Sequence, residues 1–496
     1  MMYLIAASVV VVTYFTLKWL NIYKKPKEWK YIPTISALEG LYRAFTNPVP
    51  IDVDFEKHTL PYIDDNGMTT ICDLFSGYSL FVTDPDSLKQ ILKNTDIFVK
   101  EPFAEKNEAL FKEHFGVQQV VSANGEDWKR MRKVMNPIFN RSWKPELFGE
   151  CFNQVIEEWD KLEGKDILIH DQIQRMTLDV MGKAFFDFDF EAVRNPESKL
   201  YKLYHDITNG LFKDIAYLIF PILDHIPYLK RYALHAKVAE YNLFVENLIE
   251  RRRQEILDGK ANNDNLLTQF VQASMPTDKE EAVLSDRELR DNLKIFFVAG
   301  HDTTANTISA IIYYLARYPD VQAKLRSEII EIMGESDSVR VPTVDQLKQM
   351  DYLNMVIKES TRCMTTAAVL SRRAAKPFTF SNGVQVPEGR MVNLHMWGLF
   401  HNPKYFPEPN KFDPERFRDP NCEANKSWIP FLTGSRTCIG MSFSLMEQRV
   451  ALSMLVQAYI FQINSDHPDY EKLRLPVFGF PRPEDFKVDL IRRFTN

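Results

Sequence analysis

From Met1 to Leu17 the chain carries no charged residue, and the run is rich in Val, Ile, Leu, Tyr and Phe. Lys18 interrupts it, and Trp19 to Tyr23 continue it before Lys24, Lys25, Lys27 and Lys30. As one helix the stretch up to Lys24 is roughly 34 Å long, enough to cross a bilayer. Lys18 near one end can snorkel, and Trp19 and Tyr23 suit an interface. A cleaved signal peptide would carry positive charge before the apolar run and small residues after it. Here the charge follows the run and the next residues are large. The expectation is an uncleaved anchor over residues 1–23, with the bulk of the chain on the cytosolic side.

The remaining length allows a large core. A net charge of −6 gives no reason to expect nucleic-acid binding. Five cysteines (Cys72, Cys151, Cys363, Cys422 and Cys438) are odd in number and far apart, with no CxxC pair. That argues against a cysteine-built zinc site and against a disulfide framework. It favours a reducing compartment.

Residues 24–50 read as a linker, and 51–496 as one large domain, mainly helical with short sheets. Val238, Tyr241, Val245 and Leu248 recur at helical steps. Arg251 to Arg253 end that stretch and read as a solvated end. Asn292 to Arg317 is a long helical pattern stopped at Tyr318-Pro319, and a second runs near Val344 to Met364. Asn382-Gly383 between apolar runs marks a hairpin. Pro403 to Pro420 reads as a long ordered loop, and Ile439 to Ile463 as a helix entering a strand. Leu211 to Tyr232 is apolar and aromatic; it fits a core helix or a loop dipping into a membrane surface.

The chemistry concentrates in four places. The first is Phe431-Leu-Thr-Gly434-Ser-Arg436-Thr-Cys438-Ile-Gly440. Cys438 precedes a helical run, whose N–H groups and dipole lower a thiol pKa. Gly434 and Gly440 let the backbone turn and a flat ligand approach. Arg436 can pair with an anion, and Phe431 can pack beside the sulfur. The second is Glu359-Ser-Thr-Arg362, an acid and a base on one helix face, with Arg416 downstream. The third is Ala299-Gly300-His301-Asp302-Thr303-Thr304 inside the long helix. A glycine there needs a packing or functional reason. Asp302 and Thr303 could pass protons, and Thr303 could bond to backbone. The fourth is Trp128-Lys-Arg-Met-Arg132, with ring and guanidinium four apart on one face. Lys129, Arg130 and Lys133 fit a basic docking patch or a plain solvated face.

The first block resembles the cytochrome P-450 signature Phe-x-x-Gly-x-Arg-x-Cys-x-Gly at every fixed position. The other motifs follow in family order from the anchor to the last helix. The resemblance implies the cytochrome P-450 fold behind one transmembrane helix, and heme b with Cys438 as the thiolate ligand of its iron. In that family the sulfur pushes electron density toward O–O cleavage. It implies that Arg436, Trp128, Arg132 and Arg372 serve the heme propionates, and that Glu359, Arg362 and Arg416 form a structural network. Asp302 and Thr303 become the acid–alcohol pair of oxygen activation, and His301 is discounted as a metal ligand. Phe297, Ala299, Ala367, Val369 and Phe478, with residues from Phe103 to Val121, would line an apolar substrate pocket. Two departures stand out: a thin proline hinge after the anchor, and no proline in Cys363-Met-Thr-Thr-Ala-Ala-Val369.

The implied function is a monooxygenase of the endoplasmic reticulum membrane, single-pass and facing the cytosol. It would insert one atom of dioxygen into a lipophilic small molecule. A steroid or terpenoid comes first, a fatty acid or xenobiotic second. No second Gly-rich cofactor fingerprint is present. Electrons should therefore come from a separate NADPH-dependent cytochrome P-450 reductase, with cytochrome b5 as a further donor. The alternatives are a heme-thiolate isomerase or dehydratase, whose mark would be a disrupted Asp-Thr pair, and a non-enzymatic membrane-anchored binding protein.

Overall fold

The structure, a computed structural model, describes residues 23–494 apart from 74–76, 102–108, 213–215, 218–219, 262–264 and 277–280. The expected anchor, up to residue 22, and Phe103 lie outside the described residues. Among the described residues no helix is long and apolar enough to cross a membrane. The chain forms two compact units. The first takes in the described residues up to Glu101, with Ala367–Pro409 and Leu432–Thr437; the second is Pro102–Thr366, Asn410–Phe431 and Cys438–Asn496.

The first unit is built on a six-stranded sheet. Its strands run in the order Thr34–Ile35, Met68–Asp73, Gly77–Val82, Met391–His395, Val369–Ala374 and Phe98–Val99. Leu80 registers with Val392 in a parallel pair, and Leu370 with Leu394 in an antiparallel one. The expected hairpin forms between Phe378–Thr379 and Gln385–Val386. Gly383 supplies its positive φ of 85° and donates to the Phe380 carbonyl at 2.9 Å. The stretch read as a linker over 24–50 is instead partly folded. Trp29 is fully buried and its Nε1 donates to the Gln385 carbonyl at 2.8 Å. A helix, Ala37–Thr46, follows with Ser36 as its cap.

The second unit is mainly helical, with one small sheet of Tyr459–Gln462, Lys487–Arg492 and Ile167–Leu168. Its axis is the long helix Asp286–Arg317, about 48 Å by the standard rise. It starts on a capping box, Ser285 with Glu288, and stops at Tyr318 because Pro319 opens the next helix. It is buried almost all round, as an interior helix must be. Gly300 has a packing reason: a Cβ there would lie 1.8 Å from the Met181 sulfur. The helix Met441–Ala458 runs into the strand Tyr459–Gln462, as expected.

Three expectations change. Val344 to Met364 is two helices, Val344–Gln349 and Asp351–Cys363, because Glu328 from another helix caps the second through the N–H groups of Tyr352 and Leu353 at 2.6 and 2.8 Å. Arg252 is no solvated end. It is buried inside the helix Leu234–Leu257 and donates to the Phe186 carbonyl at 3.3 Å. Leu211 to Tyr232 divides: Leu211, fully buried, and Phe212 end the core helix Lys199–Phe212, while Pro221–His225 and Lys230–Ala233 are short 3₁₀ turns, with Ile222 and Tyr228 69% and 96% exposed.

Candidate functional site

Cys438 closes a tight loop and presents an exposed thiol. Its N–H donates to the Phe431 carbonyl at 2.9 Å, and its own carbonyl accepts from Met441 N–H at 3.3 Å. The backbone between turns through Leu432 at φ 61° and Gly434 at φ 71°. A non-glycine residue in that region stores strain, which the surrounding loop must hold. Gly440 has ordinary φ; a Cβ added there would meet only the Cys438 sulfur, at 4.0 Å. The glycine therefore leaves open space beside the sulfur. The helix Met441–Ala458 begins just behind it, so its dipole favours negative charge on the thiol.

The long helix has one open stripe. Ala299 is exposed and Ile295, Gly300 and Thr303 are half-buried, while Val298, His301, Asp302 and Thr304 are buried. Thr303 Oγ1 donates to the Ala299 carbonyl at 2.9 Å. The next residue ties the helix to the one that follows Cys438: Thr304 Oγ1 and Ser444 Oγ lie 2.9 Å apart. Phe297 is not on this stripe. It stacks on Phe186 with ring centres 4.3 Å apart, amid Phe190, Tyr241 and Phe244, and is 1% exposed. Two residues before Ala299, it falls on the opposite helix face, so it does not reach the open stripe, where Ile295 lies. Phe478 is half-buried in a loop beside Gly479.

Asp302 and Thr303, adjacent in sequence, are held differently. Asp302 Oδ2 accepts from Tyr204 Oη at 3.0 Å, and Oδ1 from Gln174 Nε2 at 3.1 Å. His301 Nε2 stands 3.1 Å from the same Oδ1. His301 is buried, with Nδ1 on the Phe297 carbonyl at 2.6 Å, so both of its nitrogens are engaged. Sequence reasoning missed Tyr204, Gln174 and Ser444.

On the helix Gly125–Phe139, the Arg132 guanidinium lies 5.9 Å from the centre of the Trp128 ring. Burial pulls its pKa down, and a negative Cys438 pulls the other way, which puts the two within electrostatic reach. Arg130 does not join a free basic patch: it donates to Glu288 and Asp127. Glu359 and Arg362 are both fully buried. Arg362 donates to both oxygens of Glu359 at 2.8 and 2.9 Å, and Arg416 Nε donates to Oε1 at 2.9 Å. Asp413 N–H adds a fourth bond at 2.9 Å.

In the first unit, Arg436 is buried in a short 3₁₀ turn. Arg372 is 5% exposed, and burial pulls its pKa down to about 10. Its Nη1 donates to the Ser371 carbonyl at 2.8 Å, while Nη2 has no hydrogen-bond partner among the described residues. Ala367 is half-buried and Val369 exposed.

These residues fit a heme. A buried guanidinium with an orphaned donor suits an anionic propionate. An exposed thiol with open space beside it suits an axial iron ligand, and a stripe of small side chains on a buried helix suits a flat group.

The profile of the family described as Cytochrome P450 matches residues 67–486. Cytochrome P450 3A5 of Homo sapiens is 30% identical over 428 residues, 83% of this chain and 82% of that protein. Cytochrome P450 3A11 of Mus musculus is 29% identical over 410 residues, 78% of each. Cytochrome P450 4A2 of Rattus norvegicus is 30% identical over 360 residues, 67% of each. A crystal structure of the cytochrome P450DA heme domain shares the fold at a TM-score of 0.72 and 22% identity, covering 86% of this chain and 90% of that one. The chain belongs to the cytochrome P450 family of heme-binding monooxygenases.

Proposed function

We propose that this chain inserts one atom of dioxygen into a lipophilic small molecule, a steroid or other terpenoid first, a fatty acid or xenobiotic second. The cofactor is heme b, with Cys438 as its iron ligand and Arg132, Arg372, Arg436 and Trp128 on its propionates. Heme bound through a thiolate supplies the oxygen-activating chemistry. Two electrons come singly from a separate NADPH-dependent reductase, with cytochrome b5 as a further donor. Residues 1–23 anchor the protein in the lipid of the endoplasmic reticulum membrane, and the rest, from 51 onward, is the cytosolic catalytic domain.

One observation carries this reading: the exposed thiol of Cys438, in the same unit as a buried helix whose open stripe bears Ala299 and Thr303. Thr303 holds its hydroxyl on the Ala299 carbonyl, so its oxygen keeps two lone pairs for a proton acceptor's role on the open side. Asp302 supplies the proton from the buried side. Ile295, Ala299 and Phe478 in the second unit, and Ala367 and Val369 in the first, are apolar, which favours a lipophilic substrate.

The test is a reduced carbon-monoxide difference spectrum of the heme-loaded protein, followed by spectral titration with steroid, terpenoid and fatty-acid panels. A red-shifted thiolate band that Cys438→Ser abolishes is expected. A folded, heme-loaded protein without that band overturns the ligand assignment.

A further inference from the structure

A small cavity walled by both polar and apolar side chains lies on the flank of the long helix that carries Asp302. Its walls include Gln174, Tyr204, His205, His301, Asp302 and Asn306. About 20 Å³ of it is open to the centre of a water molecule. One ordered water needs about 10–15 Å³ of such space, so the cavity has room for one or two. It also has a polar group in need of one. Asn306 is 2% exposed, and its Oδ1 has no hydrogen-bond partner among the described residues.

The proton count at this site is uneven. The Phe297 carbonyl can only accept, so His301 Nδ1 carries a proton toward it. A neutral imidazole would then turn a bare lone pair on Nε2 toward the Asp302 oxygen 3.1 Å away. Two facing lone pairs repel; one further proton between them makes a bond. That proton gives either an imidazolium with a carboxylate or an imidazole with a carboxylic acid. Tyr204 Oη donates to the other carboxylate oxygen at 3.0 Å. Thr208, which also lines the cavity, has a buried Oγ1 with no hydrogen-bond partner among the described residues. His205, half-buried beside Asn209 at 2.7 Å, stands at the same cavity. The other charged or titratable groups facing the cluster include His170, Asp171, Tyr201, Tyr241 and Arg482.

We propose that His301 and Asp302 together store one proton, that water in this cavity refills the store from solvent, and that Tyr204 positions the carboxylate for it. This rests on the reading of Asp302 and Thr303 as the proton-delivering pair. The step moves one proton and no electrons. The H–O or H–N bond of the pair breaks as a new O–H bond forms on a water or the hydroxyl at Thr303, and that group gives up one of its own protons on the open side, so no charge stays on it. A cavity water then returns a proton to the pair, drawn from solvent.

Two measurements test it. The first needs no turnover: nitrogen-15 NMR of histidine-labelled protein with the infrared carboxyl band at pH 7. An imidazolium at His301 or a protonated carboxyl at Asp302, lost in Asp302→Asn, is expected. Neither signal in the native protein overturns the proposal, whether or not any variant folds. The second is product formed per NADPH consumed, with its solvent isotope effect. His301→Gln and Tyr204→Phe should lower the yield at least about five-fold at unchanged substrate affinity. If Thr303→Ala and Asp302→Asn lower it while both of those variants do not, the proton store is wrong and the delivery pair stands. If Thr303→Ala and Asp302→Asn leave it unchanged, the delivery pair itself is wrong, and the store falls with it.

Discussion

Arg362 lays Nε and Nη2 on the two oxygens of Glu359 at 2.8 and 2.9 Å, and neither side chain reaches solvent. Desolvating both charges offsets most of their attraction, so the pair adds little net stability as it stands. Removing one partner is different. Glu359→Ala leaves Arg362 buried and strips Arg416 and the Asp413 N–H of an acceptor. The expected loss is about 3–5 kcal/mol in urea unfolding, with Glu359→Gln milder. A loss under about 1 kcal/mol would mean that water replaces the carboxylate.

Arg372 makes the opposite case. It is a buried cation whose Nη2 has no hydrogen-bond partner among the described residues. Without heme, Arg372→Met should leave stability unchanged or raise it, because a desolvated charge is replaced by an apolar chain of similar reach. With heme, the same change should speed heme loss to a scavenging protein, because a propionate loses its donor. Equal effects on both forms would show that Arg372 serves the fold and not the cofactor.

Gly300 and Met181 yield a coupling experiment. A Cβ at 300 would sit 1.8 Å from the Met181 sulfur. Helix propensity favours Gly300→Ala by roughly 1 kcal/mol, while overpacking costs about 1–3 kcal/mol. A small net loss is expected, with a favourable coupling of about 1–2 kcal/mol in the double variant Gly300→Ala, Met181→Ala. Additive effects would show that Met181 already swings clear.

Much of this was legible locally, and what was not came from distant residues. Turn chemistry marks the Asn382-Gly383 hairpin, and Tyr318-Pro319 marks the end of the long helix, because both signals act within a few residues. The ten-residue block around Cys438 places the thiol for the same reason. The break at Met350 could not be read, since Glu328 supplies its cap from another helix. Arg252 reads as a surface charge until Phe186 and Asp187, some 65 residues upstream, accept its hydrogen bonds. The partners of Asp302 are hidden likewise: Tyr204 lies 98 residues away. Phe297 is the exception. Stepping about 100° per residue from Ala299 and Thr303 already turns it to the far face.

Acid stability should report two buried histidines. Burial pushes His114 down to about 3, with the Lys294 charge adding to it, and pushes His170 down to about 3, with Arg482 adding to it. In the unfolded chain both titrate near 6.5. Between those values the unfolded state binds more protons, so stability is complete above about 6.5 and falls as pH drops below it. At pH 5 each should withdraw about 2 kcal/mol. Asp179 works in the other direction, its carboxyl pushed up to about 6 by burial, so a wild-type pH profile alone is ambiguous. The decisive comparison is with His114→Phe and His170→Asn, measured by urea midpoint at pH 7.5 and pH 5. Each variant should lose less stability than wild type between the two. Parallel losses would show that the native histidines take up protons as readily as the unfolded ones.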